Sequence, residues 1–431
     1  MSGEDTLDVI VVGAGLAGLA CAYEVASAGL GVAVLERGDA AGSKNLSGGR
    51  LYLEPVRELC GDLLKDAPFE RSVVSDSIVF CDEKQSMTLR VDQDHNSASP
   101  HSVTVLRAKL DQYLADKVSQ KGAMLLVQQQ ADSLLIEDGQ VVGVKVGPEE
   151  LRSRVVVGAD GVLSFLAQEA GLRSRRPADN YAIGLKEIIQ LDSNLIEERF
   201  NVSAGQGSAR LYVGAVTSGL PGGGFIYTNS QSLSIGLVVG MQATQNWKSE
   251  SAIHDLQEAF KQRPDVAPLI AGGKTIEYGA HLIPEGGSKA LPAFGIPGLL
   301  LVGDAAGLVI NTGTVLRGMD LALASGALAG RSILTARAAE MNAADTVAHY
   351  TSALQQSFIM RQLHTHRKAP SVLAQGRLYR RYPPRLAGWA ADLFEVNTAG
   401  ESTSFKKAFK HLRRKVLGFR GYRDLWRLIR M

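Results

Sequence analysis

Apolar residues along this chain gather in short unbroken runs closed by glycine, alanine or an acid. Residues 9–12, 32–35, 155–157 and 299–302 are runs of this kind, and their length suits parallel strands buried on both faces. The first leads into Gly13, Ala14, Gly15, Leu16, Ala17 and Gly18, and the second ends on Glu36, followed by Arg37. Strand, glycine turn, helix, and a second strand ending in a carboxylate form the pattern that grips a dinucleotide. Gly13 permits the tight turn, Gly15 lets the backbone approach a pyrophosphate, and Gly18 lets the helix pack close to the sheet. The helix amino terminus offers unpaired N–H groups and partial positive charge to the phosphates, and Glu36 is placed to accept from a ribose diol.

The third and fourth runs end in Gly158-Ala159-Asp160-Gly161 and Gly303-Asp304-Ala305-Ala306-Gly307. Ligands bind at the carboxyl ends of parallel strands, so Asp160 and Asp304 should face the same crevice as the glycine turn. Asp160 reads almost as well as a helix cap. Asp304 reads as a ribityl or ribose contact, followed by a helix containing Gly313, Gly318 and Met319 whose amino terminus faces an electron-rich ring edge. Strand-like runs over 182–190 and 208–241, broken by glycine, proline and asparagine turns, predict an antiparallel sheet roofing this site.

Composition adds one strong asymmetry. The 431 residues are 45% hydrophobic and 21% charged, with net charge +2, an ordinary globular balance. From Ser404 onward, however, there are ten Lys or Arg against one acid, leaving the rest of the chain acidic. Phe405, Phe409, Leu412, Val416 and Phe419 form a stripe at helical spacing, with lysines and arginines on the remaining surface. Such a segment fits an anionic membrane surface, an acidic electron carrier, or docking on its own domain. No recognition motif favours nucleic acid. No basic and apolar leader and no run of membrane-spanning length occurs, so a cytoplasmic location is expected, with contact to the inner face of the cytoplasmic membrane as a possible extension. Cys21, Cys60 and Cys81 are too scattered for a metal cluster, and no metal site is expected.

In order, the Gly13 to Gly18 turn with Glu36, the segment 103–111 containing Arg107, the Ala159-Asp160-Gly161 stretch and the segment 302–307 resemble the FAD-binding segments of the glutathione-reductase-like flavoprotein superfamily, over about the first 340 residues. The resemblance implies FAD as cofactor. The loop 44–52, with Lys44, Asn45, Ser47, Gly48, Gly49 and Arg50, together with 181–188, 222–227 and 234–240, resembles the FixC branch of the electron transfer flavoprotein-quinone oxidoreductases. In that loop Gly48 and Gly49 would permit close approach to a planar ring, and Lys44 or Arg50 would stabilise negative charge on it. The alternative is a glycine-rich turn with solvated basic residues.

The expected fold is α/β: a Rossmann-type FAD-binding domain over 1–80, 104–175 and 275–340, an interleaved antiparallel β-sheet acceptor domain over 81–103 and 176–274, and a helical basic carboxy-terminal region over 341–431. The resemblance implies electrons accepted from a two-subunit electron transfer flavoprotein and passed to a ferredoxin-like iron-sulfur protein, to quinone, or to both. Since no cysteine follows Cys81, any cluster must come from another polypeptide. Two rivals remain: a hydroxylase or geranylgeranyl-type reductase reduced by NAD(P)H, against which stands the lack of arginine in 162–167, and a non-catalytic FAD-containing assembly scaffold. No catalytic acid, base or nucleophile stands out in the sequence, which suits electron transfer.

Overall fold

The computed structural model describes residues 6–45, 48–93, 100–173, 177–245, 247, 252–396 and 398–431, with the side chains of 415–420 excluded. Ser47, and the side chains of Val416 and Phe419, therefore lie outside the described residues.

The four apolar runs become neighbours in one sheet, ordered Gly295–Ile296, Leu299–Leu301, Glu149–Gly158, Leu7–Val12, Val32–Glu36, Met124–Val127. Along this order every pairing is parallel except that of Gly295–Ile296, and an antiparallel pair, Ser133–Glu137 and Gln140–Val146, joins at the start of Glu149–Gly158. Val9, Ile10, Val11, Val34 and Leu35 are buried, each contributing about 1.5–3 kcal/mol by leaving water. Helix Leu16–Ser27 follows the first strand and packs on the long helix Met319–Ala338. Two glycines are indispensable in this corner. Gly13 adopts φ +109°, and a Cβ there would sit 2.3 Å from the Ala159 carbonyl oxygen; a Cβ on Gly18 would sit 2.0 Å from that of Gly13.

The second sheet has nine strands, ordered Lys274–Pro284, Tyr181–Gln190, Ser232–Gly240, Gly222–Thr228, Gln206–Gly214, Arg71–Cys81, Ser102–Val105, Gly49–Tyr52, with Ser86–Asp92 beside Arg71–Cys81. It departs from expectation in two ways. Gln206–Gly214 pairs parallel to Arg71–Cys81 inside an otherwise antiparallel sheet. Residues 49–52, 71–80 and 275–284, expected in the dinucleotide unit, pair instead into this sheet, because the chain crosses between the two sheets more often than apolar runs alone reveal. Buried Arg71 holds the parallel junction together: its guanidinium donates to Glu197 Oε1 (2.9 Å), Ser193 Oγ (2.7 Å) and the carbonyls of Gln206 (2.9 Å), Asn229 (2.7 Å) and Ser230 (3.1 Å).

The carboxy-terminal region is helical, running through Phe405–His411, a π-helical segment Leu412–Leu417 and Gly418–Ile429. The leading pair of its apolar stripe does not dock. Phe405 is 86% exposed and Phe409 65%, and attachment runs through Ala408, whose carbonyl accepts from Trp389 Nε1 (3.0 Å), and buried Asp424, which pairs with Arg377 and accepts from Tyr382 Oη (2.6 Å). No described helix is long and apolar enough to cross a membrane.

Candidate functional site

Between the carboxyl ends of the parallel strands and the face of the large sheet lies a cleft of ≈ 600 Å³. Gly13, Gly15, Leu16, Ala17, Glu36, Arg37, Lys44, Asn45, Gly48, Gly49, Arg50, Arg107, Asp160, Gly161, Asp304, Gly318 and Met319 all line it. Three expected residues do not. Ala14 gives its N–H to Glu36 Oε2 (3.0 Å), Gly18 packs against the turn, and Gly303 gives its N–H to Ser325 Oγ (2.9 Å).

The geometry suits a diphosphate joined to a ribose. Helix Leu16–Ser27 starts at Gly15 with no side-chain cap and no acid in its first turn, so its leading N–H groups and dipole are free for an anion. A Cβ on Gly15 would meet nothing nearer than Arg107 Nη2 at 3.8 Å, so backbone and ligand can approach closely. Glu36 is aimed by two backbone donors, Ala14 N–H and Gly38 N–H (2.7 Å to Oε1), and each oxygen keeps a lone pair for a ribose hydroxyl. Arg107 is braced by Asp111 (Nε–Oδ1 2.8 Å, Nη2–Oδ2 2.7 Å), which also accepts from Asn45 Nδ2 (2.7 Å). Burial opposes the Arg107 charge, but Asp111 and then Asp304 outweigh it and hold the guanidinium's affinity for its proton above the ordinary value.

The Asp304 carboxylate has no hydrogen-bond partner among the described residues, while its backbone carbonyl accepts from Gly307 N–H (2.9 Å). Burial pushes its carboxyl up, partly countered by His281, Arg107 and Arg173, and burial pushes His281 down. An unpartnered carboxylate facing a cleft is costly unless a ligand hydroxyl meets it. These features fit FAD.

Three readings change and a fourth divides. Arg50 is already neutralised by Asp76 in a two-pronged ion pair and donates to Ser102 Oγ (2.9 Å), so its charge is spent inside the large sheet. Gly48 is required by Ser234, whose Oγ would lie 2.2 Å from an added Cβ, rather than by a ring alone. Asp160 takes both readings: Oδ2 accepts from Leu166 N–H (3.1 Å) at the start of the following short helix, while buried Oδ1 has no partner among the described residues and the residue still lines the cleft. Gly313 and Gly318 precede the long helix, which starts at Met319; Gly313 turns the hairpin of Ile310–Asn311 and Leu316–Arg317.

The roof supplies groups not singled out as site residues. Gly184, Leu185, Lys186, Phe225, Tyr227, Val238 and 280–283 come from four adjacent strands of the large sheet. Lys186 is 5% exposed, its Nζ 5.7 Å from the Phe225 ring centroid. Burial pushes its ammonium down to about 7, against the opposing pull of Glu277 and with help from Arg107. The available signal was Lys186 and Glu187 side by side inside a mostly apolar strand, where alternation would send one of the two to solvent and both are buried. Among the described residues no cluster of potential metal ligands occurs.

A second cavity of ≈ 470 Å³ adjoins the cleft and shares Val309 with it. Its wall is mostly apolar, including Leu220, Pro221, Trp247, Ile310 and Leu373, with Glu285 and Tyr379 among its polar groups.

A family model described as FAD dependent oxidoreductase matches residues 8–98, and one described as ETF-QO, ubiquinone-binding matches 181–283. Protein FixC of Escherichia coli strain K12 is 40% identical over 417 residues, 96% of each chain. The probable electron transfer flavoprotein-quinone oxidoreductase YdiS of that strain is 39% identical, covering 91% of this chain and 92% of YdiS. Among solved structures, a geranylgeranyl bacteriochlorophyll reductase-like protein from Thermoplasma acidophilum superposes with TM-score 0.73 at 22% identity, covering 98% of this chain and 99% of that one, a likeness of fold.

Proposed function

Because this chain belongs to the FixC-like electron transfer flavoprotein-quinone oxidoreductases and is an FAD-dependent oxidoreductase, we propose that it takes electrons from a reduced two-subunit electron transfer flavoprotein and delivers them to quinone, to a ferredoxin-like iron-sulfur protein, or to both. Bound FAD would supply the redox chemistry. The protein's own task is binding, orientation and electrostatics. The helix start at Gly15 and the braced Arg107 receive the diphosphate, Glu36 and Asp304 receive hydroxyl groups, and Lys186 sets a cation over the cleft that favours a more negative ligand. The roof of Leu185, Phe225 and Tyr227, which lines the cleft, would keep water from a bound ring.

The observation that carries the quinone arm is the apolar second cavity meeting the dinucleotide cleft at Val309. An iron-sulfur acceptor would bring its own ligands, since Cys21, Cys60 and Cys81 are separately buried and unpaired, their thiols pushed up by burial. Exposed Phe405, Phe409, Trp426 and Ile429, set among the lysines and arginines of the tail, support peripheral attachment to the inner face of the cytoplasmic membrane.

The test is anaerobic bleaching of the purified flavoprotein, comparing reduced electron transfer flavoprotein with NADH and NADPH, followed by reoxidation with short-chain ubiquinone. We expect bleaching by the flavoprotein donor and colour return with the quinone. Rapid bleaching by a pyridine nucleotide alone would overturn the reading.

A further inference from the structure

We infer that Glu285 is the proton donor to a quinone-class acceptor bound in the second cavity, an inference that rests on the quinone arm proposed above. Glu285 lines that cavity and stands directly after the strand Lys274–Pro284, whose residues 280–283 line the dinucleotide cleft. One neutral donor, Asn311 Nδ2, bonds its Oε1 at 2.9 Å, and no cation pairs with it among the described residues. Asn311 belongs to the strand Ile310–Asn311, paired with Leu316–Arg317, and the latter strand lines the dinucleotide cleft. Glu285 is thus one hydrogen bond from the wall between the two spaces.

The other titratable or charged groups facing the cavity are Asp179 and Tyr181 from one side and His366, Tyr379 and Arg380 from the carboxy-terminal helices. Asp179 and Arg380 are exposed and mark the rim, while Tyr379 is buried. Burial pushes the Glu285 carboxyl above the usual range, with Asn311 opposing, so it retains a proton at a higher pH than a surface glutamate. The same apolar wall that raises it would make an unprotonated, reduced acceptor oxygen costly.

The chemistry balances. Converting a quinone to a quinol takes two electrons, supplied by the reduced flavoprotein, and two protons. At each protonation the O–H bond of Glu285 breaks as an O–H bond forms on an acceptor oxygen. The carboxylate regains its proton from solvent at the rim and then delivers the second.

The test is Glu285→Gln, which keeps an acceptor for Asn311 but carries no acidic proton, with Glu285→Asp as the conservative variant. The flavin-loaded full chain is reduced anaerobically and mixed in stopped flow with short-chain ubiquinone or with ferricenium, which takes an electron and no proton. We expect the ratio of quinone to ferricenium rate to fall at least about 100-fold in Glu285→Gln and to recover in part in Glu285→Asp. The wild-type quinone rate should decline as pH rises through the Glu285 titration, and the decline should vanish in Glu285→Gln. A Glu285→Gln ratio and pH profile matching wild type would overturn the donor role alone. A wild type that ferricenium reoxidises and quinone does not would overturn the quinone reading, and the donor role with it.

Discussion

Lys186 offers the sharpest energetic test of the site. Its ammonium is 5% exposed, and its affinity for the proton is pushed down from 10.5 to about 7, with burial as the leading cause. An unfolded chain holds this proton below pH 10.5, whereas the folded, flavin-free chain holds it only below about 7. The folded state is therefore penalised by nothing above pH 10.5, increasingly as pH falls, and fully below about 7. At about 1.4 kcal/mol per pH unit across that interval, the penalty reaches roughly 5 kcal/mol. Lys186→Met removes the charge with little change in shape, so it should stabilise the deflavinated protein by up to roughly 5 kcal/mol at pH 6 and about 2 kcal/mol at pH 9. Urea unfolding of both proteins at pH 6, 7.5 and 9 measures this. With FAD bound the gain should shrink, because the ligand's negative charge compensates the cation. No gain at pH 6, or a gain independent of pH, would refute the burial argument.

Arg71→Met removes one partner of a buried ion pair and orphans three carbonyl acceptors, so it should cost about 3–5 kcal/mol, read as a lower denaturation midpoint; a loss below about 1 kcal/mol would show that the junction repacks. For the tail, the full chain should co-sediment with phosphatidylglycerol vesicles at low salt and be released at high salt, since each basic residue near such a surface is worth about 1 kcal/mol. The triple variant Phe405→Ser, Trp426→Ser, Ile429→Ser should stay in the supernatant, and a wild type that also stays there would exclude a lipid role.

The dinucleotide strands were legible because continuous apolar runs need no partner to announce them, and the turn from Gly13 to Gly18 was legible because its glycines are sterically compelled. The parallel pairing of Arg71–Cys81 with Gln206–Gly214 was not, since a contact between segments so far apart in sequence leaves no local period. Arg50 and Lys186 show the same limit from opposite sides. Arg50, expected beside the ligand, is consumed by Asp76, while Lys186, on a strand expected to roof the site but with no role of its own, faces the cleft. Charge type is visible in a sequence; the partner that spends or spares the charge is not. The tail's stripe was visible at its helical spacing, but which face Asp424 would anchor depended on Arg377 and Tyr382 in other helices.

The paired strands Tyr181–Gln190 and Ser232–Gly240 reach both spaces, with Tyr181 and Gly240 on one cavity and Gly184 and Val238 on the other, and the neighbouring strand Lys274–Pro284 lines the cleft and delivers Glu285 to the second cavity just past its end. Electron tunnelling decays exponentially with distance, so a redox pair separated by loops would have a rate that wanders with every thermal fluctuation. Here the gap is ruled by a continuous ladder of backbone hydrogen bonds, whose rungs cannot slip singly. The sheet works as a fixed spacer. On the electron route proposed above, donor docking on one flank or acceptor chemistry on the other could be exchanged without resetting the distance the electrons travel.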